Sequence, residues 1–425
     1  MSGPLPLSLL PDTAEVAADG SLVIGGCRVL DLAAEHGTPL FVYDEQHLRN
    51  RCREAVAAFG ADRVVYATKA FLCRAMARLA SEEGLLLDVA SGGELHVALA
   101  AGVPAERCVL HGNNKSMDEL RFALRAGVRH INIDSFEEMG RIEALVAEGF
   151  APPRVHLRIT PGVHAHTHEY IATGQNDSKF GFNLGNGDAE TAVRQAKDSR
   201  AMHLTGLHCH IGSNVFSAES FGKAAEVMAN FARPFGLPEL TLGGGLGVPY
   251  VGGEVAPPFA EWGKTVLDAV ASAGLDAEVH VEPGRAIVAA AAVTLYTVGV
   301  VKRIPNVRTY VAVDGGMSDN PRPVLYGSGY EAFLARAVEA ERPRRARLVG
   351  KHCESGDVLI FDAAIPKDLA VGDILATPVT GAYGRSMASN YNMITRPPVV
   401  FVRDGAARLV MRRETYEDLL ACDLG

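Results

Sequence analysis

Two glycine-rich segments follow successive apolar runs: Gly243, Gly244, Gly245 and Gly247 come after residues 239–242, and Glu282-Pro283-Gly284-Arg285 comes after residues 277–281. Backbone N–H groups opened by glycine after the last two strands of a parallel β/α barrel are a common phosphate site. Glu282 can neutralise a ring cation and Arg285 a phosphate, which together point to a phosphorylated heterocycle. Lys69 ends the run Tyr66-Ala67-Thr68-Lys69. At a barrel mouth it is either a Schiff-base amine or a lysine whose stem lies along the surface. Asp88 ends the next run, before Ala90-Ser91-Gly92-Gly93-Glu94; it suits a place beside a cofactor ring, although a helix-capping role for this polar cluster fits equally. In His208-Cys209-His210-Ile211-Gly212-Ser213, alternation sets both imidazoles on one strand face. Such a pair can lie against an aromatic cofactor or ligate zinc, and His164, His166 and His168 add to the metal reading. The first run lacks a His-x-His and the histidine triplet falls in a loop, so no metal is expected. Ser213 is a phosphate donor or an ordinary turn serine. The triple glycine lacks the Gly-x-Gly-x-x-Gly spacing of a dinucleotide fold. In combination, the lysine, the glycines and residues 282–285 predict pyridoxal 5'-phosphate.

These residues need a scaffold that gathers strand ends. From about residue 40 to about residue 290, short apolar runs alternate with longer helical stretches, the pattern of a parallel sheet with crossover helices. Runs at 64–68, 85–89, 108–111, 130–134, 155–160, 203–210, 239–242 and 277–281 supply eight strands, enough to close a barrel. The stretch 164–186, rich in Gly, Asn, His and Ser, predicts an active-site loop and a candidate lid. Runs at 293–301, 309–313, 357–361, 374–378 and 399–403 predict an antiparallel β domain. The predicted fold class is α/β plus β: a (β/α)8 TIM-like barrel over 37–290, then an antiparallel β-barrel or sandwich over 291–425. Residues 1–36 form a leading segment whose strand-like run, 21–29, is expected to pair with the C-terminal sheet.

With 425 residues, 48% of them apolar, the chain can bury a large core. Its charge of −9, from 41 basic and 50 acidic residues without a basic run, argues against a nucleic-acid partner. No segment approaches an apolar twenty-mer and the N-terminus has no signal pattern, so a cytoplasmic protein without a membrane partner is expected. Seven cysteines without a Cys-x-x-Cys pair indicate neither a disulfide framework nor a structural zinc.

The order of motifs resembles that of the fold-type III pyridoxal-phosphate decarboxylases of the alanine-racemase-like barrel family, and within them the branch acting on meso-diaminopimelate. The resemblance covers essentially the whole chain. It rests on Tyr66-Ala67-Thr68-Lys69-Ala70, Ser178-Lys179-Phe180-Gly181, the His208–Ser213 segment, the triple glycine and residues 282–285. Further along it takes in Asp314-Gly315-Gly316-Met317, Arg322-Pro323-Val324-Leu325-Tyr326, Cys353-Glu354-Ser355-Gly356-Asp357 and Gly381-Ala382-Tyr383-Gly384. Asn214 stands where glutamine is frequent in the family.

The resemblance implies that Lys69 holds the cofactor, that His210 stacks on its ring with His208 in support, and that Glu282 pairs with the ring nitrogen. Asp88 and Tyr383 join the cofactor residues, and Ser213, Gly243, Gly244, Gly245, Gly284 and Arg285 surround the phosphate. Arg285, Arg322 and Tyr326 are implied to hold the substrate carboxylate that is kept, Tyr383 to touch the substrate as well, and Glu354 to meet its distal amino group. Cys353 is implied to protonate the α-carbon, entering with Glu354 from the partner in a homodimer whose active sites lie at the subunit interface. Without the resemblance, Cys353 reads as a small apolar residue in a polar turn. The implied reaction is decarboxylation of meso-2,6-diaminopimelate to L-lysine, the last step of lysine biosynthesis. The nearest alternatives are decarboxylation of ornithine, lysine, arginine or carboxynorspermidine. More distant ones are a racemase, a pyridoxal-phosphate carrier and a metal-dependent barrel hydrolase.

Overall fold

The computed structural model describes residues 3–162 and 177–425. It divides into two compact units, Arg51–Gly247 with Ala256–Ala286, and Met1–Asn50 with Val248–Val255 and Ile287–Gly425.

The first unit is an eight-stranded parallel barrel: β1 (Val65–Ala67), β2 (Leu86–Val89), β3 (Cys108–Leu110), β4 (His130–Ile133), β5 (Arg154–Thr160), β6 (His203–Cys209), β7 (Glu239–Thr241) and β8 (Glu278–His280). Each strand pairs in parallel with the next in sequence, and a parallel bridge between Val64 and Val281 joins the two ends. All eight fall within a residue or two of the predicted runs. Every residue of β1 to β4 is buried, because helices cover the outer face while side chains fill the inner one. The helices present narrow apolar stripes: Arg74–Glu82 buries Met76, Ala77, Leu79 and Ala80. Their ends are written locally. Ser116 and Glu119 form a capping box at the start of Met117–Ala126, and Gly127, left-handed at φ 77°, closes it.

Part of the barrel interior is filled by imidazoles. His130 stacks on His156 with centroids 3.8 Å apart. His156 Nε2 lies 2.9 Å from Glu239 Oε2, and Arg154 contacts the other carboxylate oxygen at 2.5 Å. Neither ring nitrogen of buried His280 has a hydrogen-bond partner among the described residues. Burial holds its pKa down to about 4, and burial likewise depresses His130 and His156. In the unfolded chain an imidazole titrates near ~6.5. The folded state therefore binds fewer protons, and stability that is complete above that value declines as pH falls toward about 4. His280 alone accounts for at most ~3 kcal/mol. The thermal midpoint is expected to fall between pH ~7 and ~5, with a shallower slope in His280→Leu protein. Equal slopes for the two proteins would contradict this.

The second unit is built on a mixed sheet. Ala292–Ile304 is its long central strand, antiparallel to Arg308–Val313, Ile374–Pro378 and Leu40–Asp44. Two pairings are parallel: Arg308–Val313 with Arg344–Val349, and Leu40–Asp44 with Val399–Arg403. The sheet is thus mixed where a purely antiparallel one was expected. Leu40–Asp44, which a boundary at residue 37 would place in the barrel, belongs here; it is buried along its whole length, so its apolar run did not reveal which sheet it joins.

The run 21–29 is not one strand. Leu22–Ile24 and Cys27–Arg28 form a hairpin that, with Glu15–Val16, makes a separate three-stranded sheet. Gly25 and Gly26 turn it at φ 58° and 78°, and a Cβ at either would meet backbone of residues 402–405 at 2.8 Å. Among the described residues no helix is long and apolar enough to cross a membrane.

Candidate active site

Strand ends carry the chemistry of the barrel unit. After β1 the chain makes a single 3-10 turn, Thr68–Ala70, with Thr68 and Ala70 buried and Lys69 exposed at the rim. Thr68 Oγ1 lies 2.6 Å from the Asp88 carbonyl and 2.9 Å from Glu94 Oε2, which also accepts the N–H of Ala90. Ser91 caps the helix Gly92–Ala100 by accepting from Glu94 N. The polar cluster after β2 is therefore the cap, and the buried Asp88 carboxylate is left for other work. Asp88 lies within electrostatic reach of Lys69.

At the centre sits Glu282, buried between two imidazoles. His208 Nε2 is 2.9 Å from Oε2, and His111 Nε2 is 3.0 Å from Oε1. Burial opposes the Glu282 charge, but His111 and His208 outweigh it and hold the carboxyl well below the ordinary range. Burial also pulls on His111, whose pKa is nevertheless raised by Asp88 and Glu282. Burial pushes His208 down to about 4, with Glu282 opposing it. Burial lifts Asp88 to about 6, with Glu282 adding to the lift and His111 and Lys69 opposing it. The two imidazoles thus diverge: the proton is favoured on His111 and disfavoured on His208.

His210 lies one residue past β6, half-buried. Its Nδ1 accepts from the N–H of Gly244 at 3.3 Å, and burial depresses its pKa strongly. The triple glycine is a matter of close approach. A Cβ on Gly243 would lie 2.6 Å from the Cys209 carbonyl oxygen, on Gly244 1.9 Å from that of Glu282, and on Gly245 2.0 Å from that of Gly212. The ends of β6, β7 and β8 are thus pressed backbone against backbone. Beside them Arg285 Nη2 donates to Ser213 Oγ at 2.9 Å.

The barrel fits pyridoxal phosphate on three observations. Glycine backbone, a hydroxyl and a guanidinium converge as a phosphate would require. Lys69 stands at the rim of β1. Glu282 and Asp88 are buried carboxylates, and Asp88 Oδ1 has no hydrogen-bond partner among the described residues, suiting an N–H of a ring cation. The donor atoms of His111, His208 and Glu282 also lie within 4.8 Å of one another, as do those of His130, His156 and Glu239. His210 is in neither group, so these groups do not join His208 to His210. His164, His166 and His168 lie outside the described residues, as does most of the anticipated lid. Two residues at the mouth escaped the sequence reading: His111, just past β3, and Arg158, in β5, whose guanidinium carbon is 4.1 Å from the Phe180 ring and which faces Asp134 at 3.9 Å. Their places at strand ends were the available signal.

The second unit carries the other implied residues. Arg322 opens the short helix Arg322–Tyr326 and is 3% exposed. Its guanidinium carbon stacks 4.1 Å from the Tyr250 ring, and Nη1 donates to Tyr330 Oη at 2.5 Å. Burial works against the charge, and the facing tyrosines outweigh it, so its pKa is raised. Tyr326 ends the same helix, half-buried. Cys353 and Glu354 are exposed in a turn between strands. Cys353 N donates to Asn392 Oδ1 at 3.1 Å, while Asp357 accepts the N–H groups of Met317 and His352 at 2.7 and 2.9 Å. Tyr383 is held at φ 59°, a conformation rare for a bulky side chain.

Residues 45–289 match the family described as pyridoxal-dependent decarboxylase, pyridoxal binding domain, which makes the barrel that of a pyridoxal-dependent decarboxylase. Over 426 residues the chain is 48% identical to the diaminopimelate decarboxylase of Mycobacterium tuberculosis H37Rv, covering 95% of each. Over 430 residues it is 48% identical to that of Bacillus subtilis 168, covering 98% of each. A crystal structure of diaminopimelate decarboxylase from M. jannaschii in complex with L-lysine superposes with a TM-score of 0.90 at 32% identity, over 97% of this chain and 98% of that one. The chain belongs to the diaminopimelate decarboxylase family.

Proposed function

We propose that the enzyme releases CO2 from the D-configured centre of meso-2,6-diaminopimelate and gives L-lysine, the last step of lysine biosynthesis. The observation that carries the substrate assignment is Arg322, a buried guanidinium that no carboxylate neutralises among the described residues. A buried charge of this kind asks for an anion from outside the chain, and a second carboxylate is what diaminopimelate has and ornithine, lysine and arginine lack.

Pyridoxal phosphate, when bound, supplies the electron sink for the pair left when CO2 departs. Lys69 would hold its aldehyde carbon, and Ser213, Gly243, Gly244, Gly245, Gly284 and Arg285 would hold its phosphate. Glu282, kept anionic by His111 and His208, would pair with the ring nitrogen, and Asp88 and His210 would hold the ring. Arg322, Tyr326 and Arg285 orient the carboxylate that stays, and Glu354 pairs with the distal ammonium. Cys353 delivers the proton that replaces CO2, a role suited to a thiol, which ordinarily titrates not far above neutrality. Tyr383 borders both cofactor and substrate. Cys353 and Glu354 act in the partner's site of a homodimer, which accounts for their exposure in the single chain. The enzyme works in the cytoplasm.

A panel of meso-diaminopimelate, ornithine, lysine, arginine and carboxynorspermidine, assayed for CO2 with added cofactor, tests the assignment. Diaminopimelate is expected to lead by about a hundredfold or more in kcat/KM, because a buried unpaired Arg322 penalises the others by a few kcal/mol. Preference for any other member would move the substrate elsewhere.

A further inference from the structure

On the reading that Arg322 receives the retained carboxylate, we propose that Tyr250 and Tyr330 are positioning residues that preset its guanidinium and so determine selectivity for a ligand bearing that group. Tyr250 and Tyr330 are 3% and 4% exposed, and their rings meet edge to face at 5.3 Å and 79°. The guanidinium carbon lies over the Tyr250 ring, 4.1 Å from its centroid, and Tyr330 takes the hydrogen of Nη1. Nε has no hydrogen-bond partner among the described residues. With Nη1 occupied by a phenol and Nε buried, Nη2 is the donor left to meet a carboxylate.

The two tyrosines come from separate stretches of chain that are packed together. Tyr250 N donates to Glu254 Oε2 at 2.7 Å, fixing its turn, and a Cβ on Gly329, the residue before Tyr330, would lie 3.1 Å from Val251 Cγ1. A free arginine side chain loses considerable rotamer freedom when it binds. Here that freedom is removed before any ligand arrives, and the affinity gain falls only on ligands that use the guanidinium. A ligand without the carboxylate gains nothing from the arrangement.

L-Lysine and 1,5-diaminopentane differ by one carboxylate, and their inhibition constants against meso-diaminopimelate can be measured on the holoenzyme. In Tyr250→Leu protein the constant for lysine is expected to rise about ten- to a hundredfold, with that for the diamine unchanged within about twofold. Tyr250→Phe, which keeps the ring, should stay close to the parent, and Tyr330→Phe should raise the lysine constant by several-fold. Equal shifts for both ligands, or no shift for either, would overturn the proposal. Arg322→Leu separates the two levels. If it collapses lysine selectivity while Tyr250→Leu and Tyr330→Phe do not, the positioning role is wrong; if it leaves selectivity intact, the role of Arg322 is wrong.

Discussion

Lys69→Ala protein is expected to lose the visible absorbance of covalently held pyridoxal phosphate and to lose turnover by about a thousandfold or more, equivalent to ~4 kcal/mol of barrier. The reason is positional. The turn Thr68–Ala70 is set by its buried neighbours, while the Lys69 side chain is exposed, so its removal deletes the amine without opening a cavity. Thermal stability without cofactor should therefore change by no more than ~0.5 kcal/mol. Absorbance spectra of dialysed protein, kcat and a melting curve check the three parts. A surviving visible band would show that another amine holds the cofactor.

Glu282→Gln has the second-largest expected effect. The substitution keeps the shape but removes the anion that His111 and His208 contact at 3.0 and 2.9 Å. Without it, the cofactor's ring nitrogen loses its proton and the cofactor its strength as an electron sink. The expectation is a fall in kcat of about a hundred- to a thousandfold, the range found when one preorganised electrostatic partner is deleted. Cofactor content, assigned in the proposal to Lys69 and the phosphate residues, should stay within about twofold of the parent. His111 should also lose its elevated pKa, since Glu282 is one of the two carboxylates that raise it. Unchanged kcat would remove Glu282 from its role.

The barrel was legible because parallel strands buried on both faces leave continuous apolar runs, and eight such runs gave eight strands. Pairing was harder to read. Leu40–Asp44 has the same apolar signature, and only its partners, Ala292–Ile304 and Val399–Arg403, reveal its sheet. The hairpin at Gly25 and Gly26 was hidden for a related reason: the contact that demands glycine comes from residues almost four hundred positions away.

At the site, the motifs with unusual composition were visible: the triple glycine, the Glu-Pro-Gly-Arg segment and the lysine ending β1. His111, Arg158, Tyr250 and Tyr330 were not, because a single histidine, arginine or tyrosine has no pattern until the fold sets it beside Glu282 or Arg322. Roles for Cys353 and Glu354 came from family resemblance alone; in the single chain they are exposed residues of a turn.

Incubation of the holoenzyme with meso-diaminopimelate in deuterated water tests the central claim most directly. The account predicts CO2 and L-lysine in equal amounts, with one deuterium at the carbon that lost its carboxylate. Loss of the α-hydrogen without CO2, or release of CO2 from ornithine or arginine but not from diaminopimelate, would contradict it.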